Sequence, residues 1–174
     1  LKGELPDLVR AEDMLGVLHV HTNYSDGRVS LKDIAEAAFK LGYKYMGVSD
    51  HSQSAFYARG LSLEDIKRQH QEIDELNKMY NGKFRILKGI ESDILADGSL
   101  DYPEEVLASF DFVIASVHSR FSLDRDAMTQ RIIRAIDNSY TTILGHPTGR
   151  LLLSRDGYPV DMEAILARAA EKGV

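Results

Sequence analysis

Residues 16–21 read GVLHVH, a short apolar run that ends in a pair of histidines two positions apart. The same pattern recurs in KYMGVSDH (44–51), FRILKGIE (84–91), FDFVIASVH (110–118) and TTILGH (141–146), each ending in a polar residue and each followed by a longer segment with helical spacing. Strand-like runs alternating with helical segments indicate βα units around a parallel sheet. All five runs are apolar enough to predict strands covered on both faces.

The helices between them have legible ends. Ser30 and Ser62 each precede an acid three residues later (Asp33, Asp65), the pattern of a capped N-terminus, and Gly42 stops the first helix. Ile66, Ile73, Leu76 and Tyr80 fall on one stripe of the second helix, and Met128, Ile132 and Ile136 on one stripe of a later one. Residues 93–103 (DILADGSLDYP) are rich in turn formers and predict a hairpin or excursion. Residues 1–15, with Pro6 and many charges, read as a linker or arm, which leaves 16–174 as one domain. Five strands and five helical segments predict either an open sheet or part of a larger barrel, since an eight-fold barrel needs on the order of 250 residues.

Composition narrows the function classes. The 174 residues carry 21 basic and 27 acidic side chains, a formal charge of −6, and no Lys/Arg run, which argues against broad electrostatic binding of nucleic acid by this segment alone. With no Cys, a metal has to be held by imidazole nitrogen and carboxylate oxygen, a donor set suited to Mn, Fe or Zn. No apolar stretch is long enough to span a membrane and the N-terminus lacks a signal-like core, so a cytoplasmic location is expected.

Five of the six histidines fall at predicted strand ends, where α/β folds place their active sites. His19 and His21, two apart on a strand, should present both rings to one face. Asp26 follows in a Ser-Asp-Gly turn, where turn formation alone would also explain it. Asp50 beside His51 should either orient an imidazole or cap the next segment. Glu91 ends an apolar run, where an unpaired carboxylate is costly; a cation explains it better than solvent, with an arginine salt bridge as the rival. His118 and His146 complete the set, and Pro147 fixes the exit of the chain. Seven N/O ligands exceed the four of a structural zinc site and imply two or three divalent ions sharing a bridging carboxylate. His70, mid-helix, reads as a packed or partly solvated side chain. Arg59, Arg120 and Arg150 lie near strand ends and are candidate phosphate clamps, though loop arginines are common at surfaces.

These motifs in this order, His-x-His-Thr-x-x-Ser-Asp-Gly (19–27), Ser-Asp-His (49–51), Gly-Ile-Glu (89–91), Ser-Val-His (116–118) and Gly-His-Pro (145–147), resemble the PHP phosphoesterases from residue 16 onward. ARGLS (58–62), DILADGSLD (93–101), SVHSRF (116–121) and HPTGRL (146–151) are similar to the C-terminal PHP domain of bacterial family X DNA polymerases, and residues 1–14 to the segment that joins it to their polymerase core. The resemblance implies a distorted (β/α)7 barrel, here present for about five βα units and without its last strands. It also implies three metal positions: His19, His21 and bridging Glu91 at one, Asp26 and His51 at a second, and Glu91, His118 and His146 at the third. The associated activity is manganese-dependent removal of nucleotides or phosphate from DNA 3′ ends.

Family members carry a late Asp-x-His that this sequence does not reach, so the resemblance marks the chain as a fragment. Only the third position then has all its expected ligands, and weak or partial metal binding and little activity are expected. The mechanism implied is attack by metal-activated water, with His19, His21, Asp26 and Glu91 at its centre and no protein nucleophile. Two alternatives stand beside it: a small-molecule phosphomonoesterase of the histidinol-phosphatase type, and a scaffold that keeps the ligands and catalyses nothing. Expected partners are DNA 3′ ends, reached through a parent polymerase, and other phosphoesters. The strand edges at 16–21 and 141–145 invite dimerisation, and no membrane partner is expected.

Overall fold

The computed structural model describes Pro6 and residues 8–174. Five strands, β1 (Gly16–Val20), β2 (Tyr45–Val48), β3 (Arg85–Asp93), β4 (Phe112–Ser116) and β5 (Ile143–Leu144), pair in parallel in their sequence order. Helices α1 (Leu31–Lys40), α2 (Leu63–Tyr80), α3 (Glu104–Leu107) and α4 (Arg125–Asp137) join successive strands, and α5 (Met162–Lys172) follows β5. Sequential order with a crossover at every step is the winding of a βα barrel, and the sheet curls into half of one with β1 and β5 as its edges. This is the α/β half-barrel expected from the sequence. Residues 1–5 and 7 of the arm at 1–15 lie outside the described residues; residues 8–15 are exposed, with a single 3-10 turn at Ala11–Asp13.

The helix ends follow the sequence closely. Ser30 Oγ accepts from Asp33 N at 3.2 Å, and past the end of α1 Gly42 (φ +87°) lets Gly42 N and Tyr43 N donate back to Phe39 O and Ala38 O. In α2, Ser62 Oγ accepts from Asp65 N while the Asp65 carboxylate accepts from Ser62 N, a reciprocal pair that satisfies two orphan donors. Two apolar cores cover the outer face of the sheet. Leu31, Ala35, Ile73 and Leu76 of α1 and α2 pack on Met46, Val48 and Ile86; Met128, Ile132 and Ile136 of α4 and Ile165 of α5 pack on Val113, Ala115 and Val117. Each fully buried aliphatic contributes about 1.5–3 kcal/mol.

Burial on both faces, expected of every strand, holds for β4 but not for the edges: β1 and β5 are only partly buried, and Leu18 is 39% exposed. Edge strands have a neighbour on one side only, and half a barrel leaves its inner face incompletely covered. The segment after β3 is the predicted hairpin, closed by an Ile94–Leu100 bridge and by Leu95 N donating to Ser99 O at 2.8 Å. His70 is half-buried, edge-on to Phe110 with ring centroids 5.0 Å apart.

Asp50 corrects one expectation. It neither orients an imidazole nor caps the next segment. Its fully buried carboxylate accepts from Thr22 N and Thr22 Oγ1 at 2.7 Å, from Ser25 Oγ, and from Gln69 Nε2 at 2.7 Å. It therefore ties the loop after β1 to β2 and α2, and Gln69, a polar residue on the buried stripe of α2, is explained by the same contact. Asp50→Ala strands several buried donors and should lower unfolding free energy by roughly 3 kcal/mol in urea titrations; a change under about 0.5 kcal/mol would contradict this role.

Candidate metal centre

Glu91 is the hub. Its position on β3, paired with Ile114 of β4, puts the carboxylate on the inner face of the sheet at 1% exposure. Five imidazoles surround it. His19 Nε2, His118 Nε2 and His146 Nε2 lie 3.1, 3.3 and 2.8 Å from Oε1, and His21 Nε2 and His51 Nδ1 each lie 3.3 Å from Oε2. The Asp26 carboxylate closes the set 3.6 Å from His21 Nδ1 and 3.8 Å from His51 Nε2.

The way these rings arrive differs from simple alternation. Between Val17 and Val20, β1 advances three residues while β2 advances two, from Met46 to Val48, so β1 holds a bulge. Val17 and Val20 accordingly both pack against the helical core, which a regular strand forbids for residues three apart. The extra residue is His19, at φ +63°. His21 lies one residue past the strand, and His51, His118 and His146 stand beyond the last residues of β2, β4 and β5. His146 also has positive φ, at +22°, and conformations this unusual for a side chain-bearing residue are held where surrounding structure enforces them. Gly27 lets the Asp26 turn fold back on β1: a Cβ there would stand 2.5 Å from His21 O.

Among the described residues, three sets have ligand atoms within 4.8 Å of one another: His19, His21 and Glu91; His21, Asp26 and His51; and His51, Glu91 and His118. The first matches the grouping implied by the resemblance. In the others His21 joins Asp26 and His51, and His51 takes the place beside Glu91 and His118 that the resemblance gives to His146. His146 instead approaches Glu91 alone, its ring 5.2 Å from that of His118 and 5.9 Å from that of His19.

Electrostatics show what this arrangement lacks. Burial opposes the charge on Glu91, but hydrogen bonds from His118, His146, His19 and His21 outweigh it and hold the carboxyl far below its usual range. Burial likewise opposes protonation of His118, yet Asp93 and Glu91 push its pKa up to about 9. His21 is raised by Glu91 against the same desolvation, whereas burial lowers His51. Neighbouring rings thus make opposite demands for a proton, and the buried Nδ1 atoms of His21 and His51 carry no hydrogen bond. A carboxylate offers about four lone-pair sites and cannot satisfy five ring nitrogens. Divalent cations held by these same nitrogens and oxygens would supply the missing positive charge without protons, so the donor set fits metal.

Asp93 is the residue that sequence reading passed over. Its carboxylate lies 2.6 Å from His118 Nδ1, orienting the ring so that Nε2 faces Glu91. The signal was present, because Glu91 and Asp93 are two apart on one strand and share a face. Tyr57 also borders the centre, its ring 5.8 Å from that of His51 and 6.3 Å from that of His118. Although the residue is largely exposed, partial desolvation at its hydroxyl and the charges of Asp93, Glu91 and Asp26 push that hydroxyl up to about 12.

Of the candidate arginines, Arg150 lines a hollow with His118, His146 and Arg155. Arg120 is exposed at φ +54°, two residues past His118. Arg59 is already engaged, donating through Nη2 to Ser25 O and so bracing the turn that carries Asp26. Arg155 braces the loop after His146 by donating to Gly149 O, with its guanidinium 3.9 Å above the Phe121 ring.

Residues 18–173 match the PHP domain family. The chain belongs to that family. It is 45% identical over 163 residues to the DNA polymerase/3'-5' exonuclease PolX of Bacillus subtilis, covering 94% of this chain and 28% of the polymerase. It is 34% identical to a probable phosphatase of Thermoanaerobacter sp., covering 89% of this chain and 60% of that protein. The chain therefore spans under two thirds of these relatives. Among solved structures, a histidinol phosphate phosphatase of Lactococcus lactis, complexed with zinc, L-histidinol and phosphate, superposes with a TM-score of 0.63 at 19% identity, over 90% of this chain and 70% of that one. At that identity the likeness is one of fold.

Asp93→Asn keeps the shape of the side chain and removes the charge behind His118. Metal affinity, read by competition with a chromophoric chelator, should fall about 10- to 100-fold; unchanged affinity would show that Asp93 has no part in holding the ring.

Proposed function

We propose that this chain is the metal-dependent phosphoesterase domain of a longer DNA polymerase and hydrolyses phosphoesters at DNA 3′ ends. The observation that carries the reading is the buried Glu91 carboxylate ringed by five imidazoles, and the 45% identity to the polymerase/exonuclease supports the choice of substrate. When bound, two or three divalent ions, with Mn suited to activity and Zn or Fe as alternatives, acidify a water and neutralise phosphoryl oxygens. Glu91, His19 and His21 would hold one ion and Glu91, His118 and His146 another, with Asp26 and His51 as the donors for a further position.

Arg150 and Arg120 extend from the loops after β5 and β4 to fix the phosphate, and Arg59 contributes through the N–H groups that Ser25 leaves over. No helix among the described residues is long and apolar enough to cross a membrane; the proposed DNA substrate is what supports a cytoplasmic location. The exposed edges β1 and β5 offer pairing surfaces for a second copy, a dimer that sedimentation would detect.

A small-molecule phosphomonoesterase is the second reading, favoured by the backbone likeness to the histidinol phosphate phosphatase. A substrate panel separates the two. The Mn-loaded chain should release phosphate faster from 3′-phosphorylated, recessed DNA than from histidinol phosphate, and a chelator should abolish both reactions. Glu91→Gln should reduce either rate by about 100-fold or more. Preference for histidinol phosphate selects the second reading; metal binding without any turnover selects a scaffold. With a net charge of −6, the chain alone should bind DNA weakly, and tight salt-sensitive binding in filter assays would contradict the proposal.

A further inference from the structure

Beyond β2 the chain makes a closed excursion, leaving at Ser52 and returning at Leu61, which bridge each other. Inside it sits the 3-10 turn Phe56–Ala58. Ala55 and Ala58 are buried at 0% and 1% exposure and seat the turn on the body of the domain. Ala58 N and Gly60 N donate to Ala55 O at 2.9 and 3.1 Å, and Ser54 N and Gln53 Nε2 donate to the carboxylate and the carbonyl of Asp101 at 2.7 and 2.8 Å. A Cβ at Gly60 would stand 1.7 Å from Ser52 O, so only glycine closes the excursion this tightly.

What this bracing presents to solvent is aromatic. Phe56 is 86% exposed and Tyr57 69% exposed, consecutive in the turn, with Tyr57 near the rings of His51 and His118. Leaving two large rings in water forgoes burial that each could have had, and a firmly held turn is a poor place for chance exposure. The surroundings narrow the ligand. With a net charge of −6 and no basic run, the chain has little electrostatic hold on a polynucleotide beyond its terminal phosphate, so contact with the end of the strand has to come from elsewhere. A nucleobase sits one sugar away from its phosphate, a span comparable to the separation of Tyr57 from the histidine rings. Stacking is also indifferent to which base is offered.

We propose that Phe56 and Tyr57 form a stacking subsite for the nucleobase of the terminal nucleotide whose phosphoester lies at the metal centre. The subsite rests on the phosphoesterase reading and supplies its substrate class: a phosphoester carried on a nucleoside, in preference to one on an acyclic alcohol.

The chain contains no Trp, so Phe56→Trp introduces a single indole in the turn, next in sequence to Tyr57. Loaded with diamagnetic Zn2+, this variant should lose emission on addition of thymidine 3′-monophosphate. Glycerol phosphate and inorganic phosphate should bind, as shown by competition, without that loss. By calorimetry the unsubstituted chain should bind the nucleotide about 5- to 150-fold more tightly than glycerol phosphate, and Phe56→Ala, at a solvent-facing position that folding does not need, should erase most of the difference. Equal affinity for the two phosphates, or a preference that survives both Phe56→Ala and Tyr57→Ala, overturns the subsite. So does histidinol phosphate quenching the indole as strongly as the nucleotide, since the occupant is then a small heterocycle. Metal-dependent binding of inorganic phosphate with no base preference removes the subsite alone, whereas phosphate binding that ignores the metal removes the phosphoesterase reading beneath it.

Discussion

A carboxylate at 1% exposure cannot be left to itself, and the arrangement around Glu91 is the consequence. Its oxygens draw in rings from the ends of β1, β2, β4 and β5, so that one residue on the central strand β3 sets where four other strands must finish. The neighbouring layer serves this arrangement. Asp50 pins the loop after β1, Asp93 turns His118, and Arg59 braces the Asp26 turn. Asp50 and Asp93 are buried and Arg59 is exposed, but each holds a part of the chain that bears a candidate ligand.

Much of this was legible in the sequence, for physical reasons that differ by feature. The strands, the caps at Ser30 and Ser62 and the stripe Met128, Ile132, Ile136 are local, and local chemistry is written in neighbouring residues. The convergence of the seven candidate ligands was readable because parallel strands bring their C-terminal ends to one side, so position along each run stands in for position in space. The bulge at His19 was not readable. Alternation gave both histidines a common face, and the structure reaches that result with one extra residue and a left-handed backbone. Asp50 was misread because its four donors come from Thr22, Ser25 and Gln69, distant in sequence. Full burial was over-assigned to β1 and β5 because nothing in a strand's own composition says that it will be an edge.

The relatives sharpen one contrast. Similarity in sequence runs to a polymerase/exonuclease and to probable phosphatases, while similarity in backbone runs to a histidinol phosphate phosphatase. A shared fold with a shared donor set says little about what is attached to the phosphate. The loops that follow β2, β4 and β5 hold Phe56, Tyr57, Arg120 and Arg150, the residues proposed to make that choice.

The ligand-bearing positions run from His19 in the first βα unit to His146 after the fifth strand, with no unit between them contributing the whole centre. A centre spread in this way exists only once the sheet has assembled from end to end. Any affinity for metal is then also an affinity for the completed fold over every partly folded state, so ion binding and cooperative folding are thermodynamically linked. Parallel strands pair late because their contacts are non-local, and the ion would report when the last of them has docked.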